Sequence, residues 1–216
     1  MEVMSITVIT GIVYNGSDVN HCYEGLVESM SRWKPNARDR LEQAALDLYR
    51  ERGFEQTTVA EIAERADLTE RTFFRYFADK REVLFGGQTL HEIYASAIAN
   101  APASAAPIDA VAAALEVVAP LFRERHELAR QRQSVIAANP ELQERELLKR
   151  ASLVSAMADA LRRRGVTDPA ASLAAEVGVI SFYTAFARWV SEPDGQDLSR
   201  LIRESLDQLK VIIVGE

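Results

Sequence analysis

The chain has 216 residues, 48% of them hydrophobic, with one cysteine and a formal net charge of −7; that is room for one ordinary domain or two small ones around a packed core. The single Cys22 excludes an internal disulfide framework and points to the cytoplasm, and no stretch approaches the roughly 20 apolar residues of a membrane span. The acidic balance does not exclude a polyanionic partner: residues 32–82 hold 11 basic and 11 acidic side chains, leaving 14 basic and 21 acidic elsewhere, and local potential does the steering.

Residues 1–29 fit nothing that follows. They lack the basic n-region of a signal peptide, with Glu2 where Lys or Arg is wanted. Two readings stay open: a start codon assigned too early, with Val27 or Met30 as the true start, or a disordered arm. His21 and Cys22 are too sparse for a metal site, and no metal is expected.

The spacing of Leu41, Ala44, Ala45, Leu48 and Tyr49 predicts a first helix over 36–52, capped by Asn36 and Asp39 and closed by Gly53 and Phe54 in the manner of a Schellman motif. Arg32, Lys34, Arg38 and Arg40 gather at its start, either as a solvated end or as phosphate contacts. Thr58 followed by Glu61 is a capping box, and Val59, Ile62, Ala63 and Ala66 form the apolar face of a second helix. It stops at Ala66, Asp67 and Leu68. Thr69 caps a third helix, with Phe73 and Phe77 inward and Glu70, Arg71, Thr72, Arg75 and Tyr76 outward. Asp79 with Glu82 predicts one more cap.

Two short helices across a tight turn, the second studded outside with Arg, Thr and Tyr, make a helix-turn-helix whose second helix enters the DNA major groove. The string TVAEIAERADLTERTFFRYFADKREVLF resembles the N-terminal domain of the tetracycline-repressor (TetR) family of bacterial transcription regulators, over about fifty residues from 36 to 85. The family usually has Gly where Asp67 stands, and Asp tolerates the left-handed turn conformation better than most residues.

On that resemblance the expected DNA-facing set is Thr58, Thr69, Glu70, Arg71, Thr72, Phe74, Arg75, Tyr76 and Lys80. Arg71 and Arg75 offer forks to guanine or phosphate, Thr72 meets a thymine methyl, and the Tyr76 hydroxyl reaches a phosphate. Phe74 stands where the family often has a DNA-facing tyrosine. Lys80, expected to open a fourth helix over 80–100, resembles the family's phosphate-contacting lysine. That helix is interrupted by Gly86 and Gly87, read as a hinge or as a tolerated soft spot.

The small-residue linker at 101–107 and helices over 108–125, with a break near Pro120, and over 127–138, 141–164, 169–191 and 198–214 complete an all-α chain of about nine helices. The expected division is 1–29, a DNA-binding domain over 30–85, and a helical effector-binding and dimerisation domain over 86–216. Sequence signatures of catalysis such as GxSxG, HExxH, CxxC or a phosphate loop are lacking, so neither an enzyme nor a cofactor is expected.

In the C-terminal half Gly178, Ala185, Leu198, Ile202 and Leu209 are the expected dimer interface, since small residues at helical spacing let helices approach closely. Leu121, Phe122, Arg132, Val135, Met157, Phe182, Tyr183 and Phe186 are the expected ligand pocket. The stretch RQRQSVIAANPELQERELLKRASL resembles regulators similar to the mycofactocin-associated regulator, which implies an acyl-coenzyme A effector. The resulting expectation is a homodimeric repressor on a palindromic operator, released by a small apolar or acyl-type ligand. A constitutive DNA-binding protein with a filled core and no inducer is the alternative.

Overall fold

The computed structural model describes residues 36–85, 89–192 and 197–214. Among the described residues the elements are nine α-helices and two 3-10 turns, with no strand. The readings made of residues 1–29, of Arg32 and Lys34, and of Gly86 and Gly87 lie outside them.

Helices α1 (Ala37–Arg52), α2 (Val59–Arg65) and α3 (Glu70–Tyr76) form the N-terminal head. Asn36 accepts the Asp39 amide at 3.0 Å, and Gly53 leaves α1 at φ 88°, a region that favours glycine. Its ψ of 157° sends the chain into an extended segment, so the expected Schellman closure is replaced by a plain exit. The head core is built from Leu41, Leu48, Phe54, Ile62 and Phe73, all buried. It does not close on its own residues. Val135 and Ile136 of α6 (His126–Ala137) and Leu142 of α7 (Pro140–Arg163) complete it, so the head rests on the body through shared apolar surface.

The expected fourth helix from residue 80 begins later, as α4 (Thr89–Asn100), after a 3-10 turn at Glu82–Leu84. The Asp79 carboxylate does accept the amides of Arg81 and Glu82, at 2.8 and 3.1 Å. Glu82 does not complete a capping box, because Arg145 and Lys149 of α7 hold its carboxylate. Helix propagation therefore loses to a tertiary ion cluster at this point.

The body consists of α4, α5 (Pro107–Val118), α6, α7, α8 (Asp168–Ser191) and α9 (Leu198–Val214), with the second 3-10 turn at Ala119–Phe122 after α5. Arg164, past the end of α7, donates to the carbonyls of Ile98, Ala101 and Pro102 at 2.9, 2.6 and 2.6 Å, satisfying acceptors that the end of α4 leaves open. Helix α8 runs through the middle of this core. It is long and apolar enough by length and composition to cross a membrane, contrary to the reading from sequence, and half of its most apolar window is buried among the other helices.

The placement of α8 buries most of the expected dimer interface inside its own chain. Gly178 faces α5 so closely that an added Cβ would lie 2.2 Å from Val111 Cγ1. Ala185, Leu198 and Ile202 are likewise buried in the core of their own chain, and Met157 fills the space beside Gly178. At Gly178 a small residue does permit a close helix approach, to α5 of the same chain. The outward face of α8 instead carries Leu173 and Ile180, 67% and 55% exposed, and the end of α9 carries Val211, Ile212 and Ile213.

Candidate functional site

Both short helices of the head are fixed by their own side chains. Thr58 accepts the Glu61 amide at 3.3 Å while Glu61 accepts the Thr58 amide at 2.8 Å, the reciprocal capping box expected from sequence. Thr69 accepts the Thr72 amide at 3.2 Å. Between the helices Asp67 takes φ 53°, the left-handed conformation that the turn requires. Arg40 of α1 donates to the Ala66 carbonyl and, at 3.1 Å, to that of Asp67. A cation of the first helix thus ties down the turn, and Arg38 is paired with Glu42 at 3.0 Å. Of the four cations at the start of this helix, Arg38 and Arg40 are therefore engaged inside the head.

Phe73 and Phe77 anchor α3 from below at 5.4 Å between ring centroids, leaving Glu70, Arg71, Phe74, Arg75 and Tyr76 exposed on it. Arg75 stacks over the Tyr76 ring at 4.9 Å and donates to its hydroxyl at 3.1 Å, which orients both towards the open side. Phe74 is 54% exposed beside these groups, an apolar surface among hydrogen-bonding ones. Thr58 and Thr69 remain exposed at the two helix starts, and Thr72 is half-buried.

Lys80 is placed differently from expectation. Its ammonium donates to the carbonyls of Phe54, Glu55 and Thr57 at 2.9, 3.3 and 3.0 Å and sits 4.3 Å from the centre of the Phe54 ring. The residue opens no helix, and all three ammonium hydrogens have acceptors in the segment between α1 and α2. The structure makes it a strut of the head.

A cavity of about 210 Å³ lies where the head meets the body. Its wall combines Glu42 and Leu46 of α1 and Val83, Leu84 and Phe85 of the turn region with Leu90, Tyr94, Phe122, Leu128, Leu153, Phe182 and Phe186 of the body. Of the expected lining, Phe122, Arg132, Phe182, Tyr183 and Phe186 belong to it. Leu121 lies outside it, Val135 is buried in the head core and Met157 in the body core. Tyr94 and the α1 residues were not anticipated as lining: Tyr94 appears in sequence only as one more position of the α4 apolar stripe, and nothing in α1 marks a cavity 40 to 140 residues away along the chain.

The charged groups on the wall are all paired. Arg132 donates to the Leu84 carbonyl and lies 3.3 Å from Glu146, and Lys149 lies 2.8 Å from Glu82. Arg125 is 4.0 Å from Asp39, and Glu42 is held by Arg38. Burial pulls the Arg132 guanidinium below the usual arginine range despite Glu146. Burial likewise pushes the Glu42 carboxyl up, against the pull of Arg38. The Arg132 guanidinium, expected only as part of the pocket lining, is already engaged with Leu84 and Glu146. Tyr94 is the exception on the wall: it is 1% exposed, its hydroxyl has no hydrogen-bond partner, and burial raises its pKa. An unpaired buried hydroxyl costs about 1–3 kcal/mol. Among the described residues no cluster of His, Cys, Asp or Glu could hold a metal ion.

A capped helix-turn-helix with an exposed second helix, mounted on a helical body with a cavity beneath it, is the architecture of a DNA-binding transcription regulator. Comparison with known proteins narrows this. The family of bacterial regulatory proteins described as tetR matches residues 42–85, and the MftR C-terminal domain matches residues 105–212, half of the chain. The chain belongs to the TetR family of transcriptional regulators.

Among relatives, the HTH-type transcriptional regulator TcmR of Streptomyces glaucescens is 40% identical over 82 residues, or 38% of this chain and 36% of that protein. The match thus spans just over a third of that relative. Of solved structures, SmeT, the repressor of the Stenotrophomonas maltophilia multidrug efflux pump SmeDEF, has a TM-score of 0.53 at 20% identity, covering 82% of this chain and 90% of its own. FadR of Bacillus subtilis in complex with stearoyl-CoA has a TM-score of 0.51 at 20% identity, covering 79% and 96%. At these identities the likeness is one of fold.

Proposed function

We propose that this regulator binds a palindromic operator as a homodimer in the cytoplasm and is released when a small molecule enters the cavity between head and body. The observation that carries the reading is the composition of that wall: one cavity is lined by α1 and the turn after the head and by four helices of the body. A ligand there touches both parts at once, and one that favours a different packing of the two shifts the position of the heads. The constitutive alternative, with a filled core, is disfavoured by the same 210 Å³ cavity.

In this reading Arg71, Phe74, Arg75 and Tyr76 enter the major groove with Thr72, and Thr58, Thr69 and Glu70 flank it. Two heads are needed for a two-fold operator, and the exposed Leu173 and Ile180 of α8 with Val211, Ile212 and Ile213 of α9 are the apolar surface that supports pairing. Leu209, partly exposed on α9, is the one member of the expected interface that this surface retains. The domain division is kept as a head over 30–85 and an effector and dimerisation region over 86–216, with the head core borrowing from α6 and α7. Sequencing genomic fragments retained by the purified protein, then titrating the enriched site by fluorescence anisotropy, tests this. Enrichment of an inverted repeat bound two chains per site is the expected result; retention of fragments without a common motif would remove the operator reading.

A further inference from the structure

Phe73 and Phe77 take the inward positions of α3, both buried, and leave Phe74 turned outward with 54% of its surface exposed. The Phe73 ring meets it edge-on at 5.4 Å between centroids and props it from below. Phe74 follows Glu70 by four residues and Arg71 by three, so the three exposed side chains share one face. Long side chains on a helix lean towards its N-terminus, which carries the Phe74 ring over the turn that holds Glu70 and Arg71. That is the end of a recognition helix that meets base edges.

No hydrogen bond or ion pair among the described residues holds Glu70 or Arg71, so an acceptor and a donor flank the ring. Arg75 is engaged with the ring and hydroxyl of Tyr76. The other apolar group that α3 could bring to a base is the methyl of Thr72. That residue is half-buried, with its hydroxyl 3.0 Å from that of Thr69. In the major groove the apolar feature is the C5-methyl of a pyrimidine, and the other edge groups of the bases are donors or acceptors. A phenyl ring laid on one of those strips its water and returns no hydrogen bond, whereas a ring laid on a methyl removes apolar surface from water on both sides.

Resting on the operator reading above, we propose that Phe74 reads a pyrimidine C5-methyl group in each half-site, carried by thymine or by 5-methylcytosine. The ring then determines specificity at one base pair, a role that the sequence had offered to Thr72.

The test starts from a pool of randomised duplexes selected with the native chain. The enriched site is resynthesised with deoxyuridine for thymine and with 5-methylcytosine for cytosine, one position at a time. Fluorescence anisotropy then gives the affinity of each duplex for the native chain, Phe74→Ala and Thr72→Ser. Burial of one methyl group corresponds to about fourfold in affinity. At one pyrimidine position of each half-site the native chain is expected to bind the methylated form about three- to fivefold more tightly than the unmethylated one. Phe74→Ala is expected to bind the two forms alike, and Thr72→Ser, which drops only the threonine methyl, to keep the native preference. Should Phe74→Ala melt below the assay temperature, Phe74→Gln takes its place, since it also removes the ring and keeps a good helix former. A sensitive thymine assigns the contact to the ordinary base, and a sensitive cytosine to the modified one. Native binding indifferent to the methyl at every position would overturn the proposal. So would a preference that survives in Phe74→Ala or vanishes in Thr72→Ser, even if Phe74→Ala weakened every duplex equally, as loss of a wedge between base steps would. A pool that yields no motif at all would strike the operator reading together with the proposal, whereas a motif without methyl dependence strikes the proposal alone.

Discussion

Lys149 Nζ lies 2.8 Å from Glu82 Oε2, joining the middle of α7 to the turn by which the chain leaves the head. Arg145 Nε donates to the other oxygen at 2.6 Å, so one carboxylate carries two cations from the body. Burial pushes the Glu82 pKa up, but the hydrogen bonds from Lys149 and Arg145 outweigh it and leave it below the usual 4.5. This cluster, the Arg81–Glu141 and Arg125–Asp39 pairs and the shared apolar core all hold body and head together.

Because the folded pKa of Glu82 is depressed, the unfolded chain binds the proton more readily, and the contribution of Glu82 is present above pH 4.5 and lost as pH falls below it. Glu82→Gln is expected to cost about 1–2 kcal/mol at pH 7, less than a fully buried pair because both cations keep partial contact with water. Thermal melts of the two proteins should converge as pH drops from 7 towards the acid limb. A gap that stays constant through that range would show that charge plays no part.

Lys80 gives a prediction that separates a structural from a DNA-contacting role. With its ammonium on three carbonyls of the 54–57 segment, Lys80→Met is expected to lower stability by about 1–2 kcal/mol, since two part-buried acceptors and one exposed one lose their donor. The log–log salt slope of operator binding should change little in Lys80→Met and fall by about one unit in Arg71→Ala. A flattened slope in Lys80→Met, with stability intact, would return the lysine to the DNA interface.

The head was legible in sequence because its determinants are local. The caps at Asn36, Thr58 and Thr69 depend on neighbours three residues away, and the inward Phe73 and Phe77 and the turn at Asp67 follow from helical period and residue type. Four of the five expected cavity residues were legible because large aromatics concentrate on one stretch of α8 and at Phe122. The misreadings share a cause as well. Lys80, Glu82, Arg132 and Gly178 each look alike in sequence whether they face DNA, solvent, ligand or another helix. Their partners lie 23 to 67 positions away, at Thr57, Lys149, Leu84 and Val111. Helical period fixes a face but not what the face meets.

Gly178 shows how narrow that meeting can be. A Cβ at this position would lie 2.2 Å from Val111 Cγ1 on α5, and the branched Val111 side chain is itself fully buried. Gly178→Ala is expected to destabilise the chain by about 1–3 kcal/mol through forced displacement of α5, despite the better helix propensity of Ala. Val111→Ala should recover part of the loss, so that the double variant is more stable than the sum of the two single effects. Simple additivity would mean that the two residues are not in contact.

The α8 and α9 surface allows the dimer to be tested without breaking the core. Leu173 and Ile180 are seven residues apart on α8, two turns along one face, and both keep more than half of their surface exposed in a single chain. An aspartate at 180 therefore leaves the protomer fold intact, whereas in a two-fold interface the same side chain meets its symmetry mate or apolar neighbours and buries an unpaired charge. Ile180→Asp is expected to sediment as a monomer with native helix content and to lose operator affinity at least tenfold, because one head reads only one half-site. Gly178→Asp, by contrast, is expected to unfold the body, since its clash lies inside the chain. An Ile180→Asp chain that remains dimeric and binds the operator normally would move the interface off this face of α8.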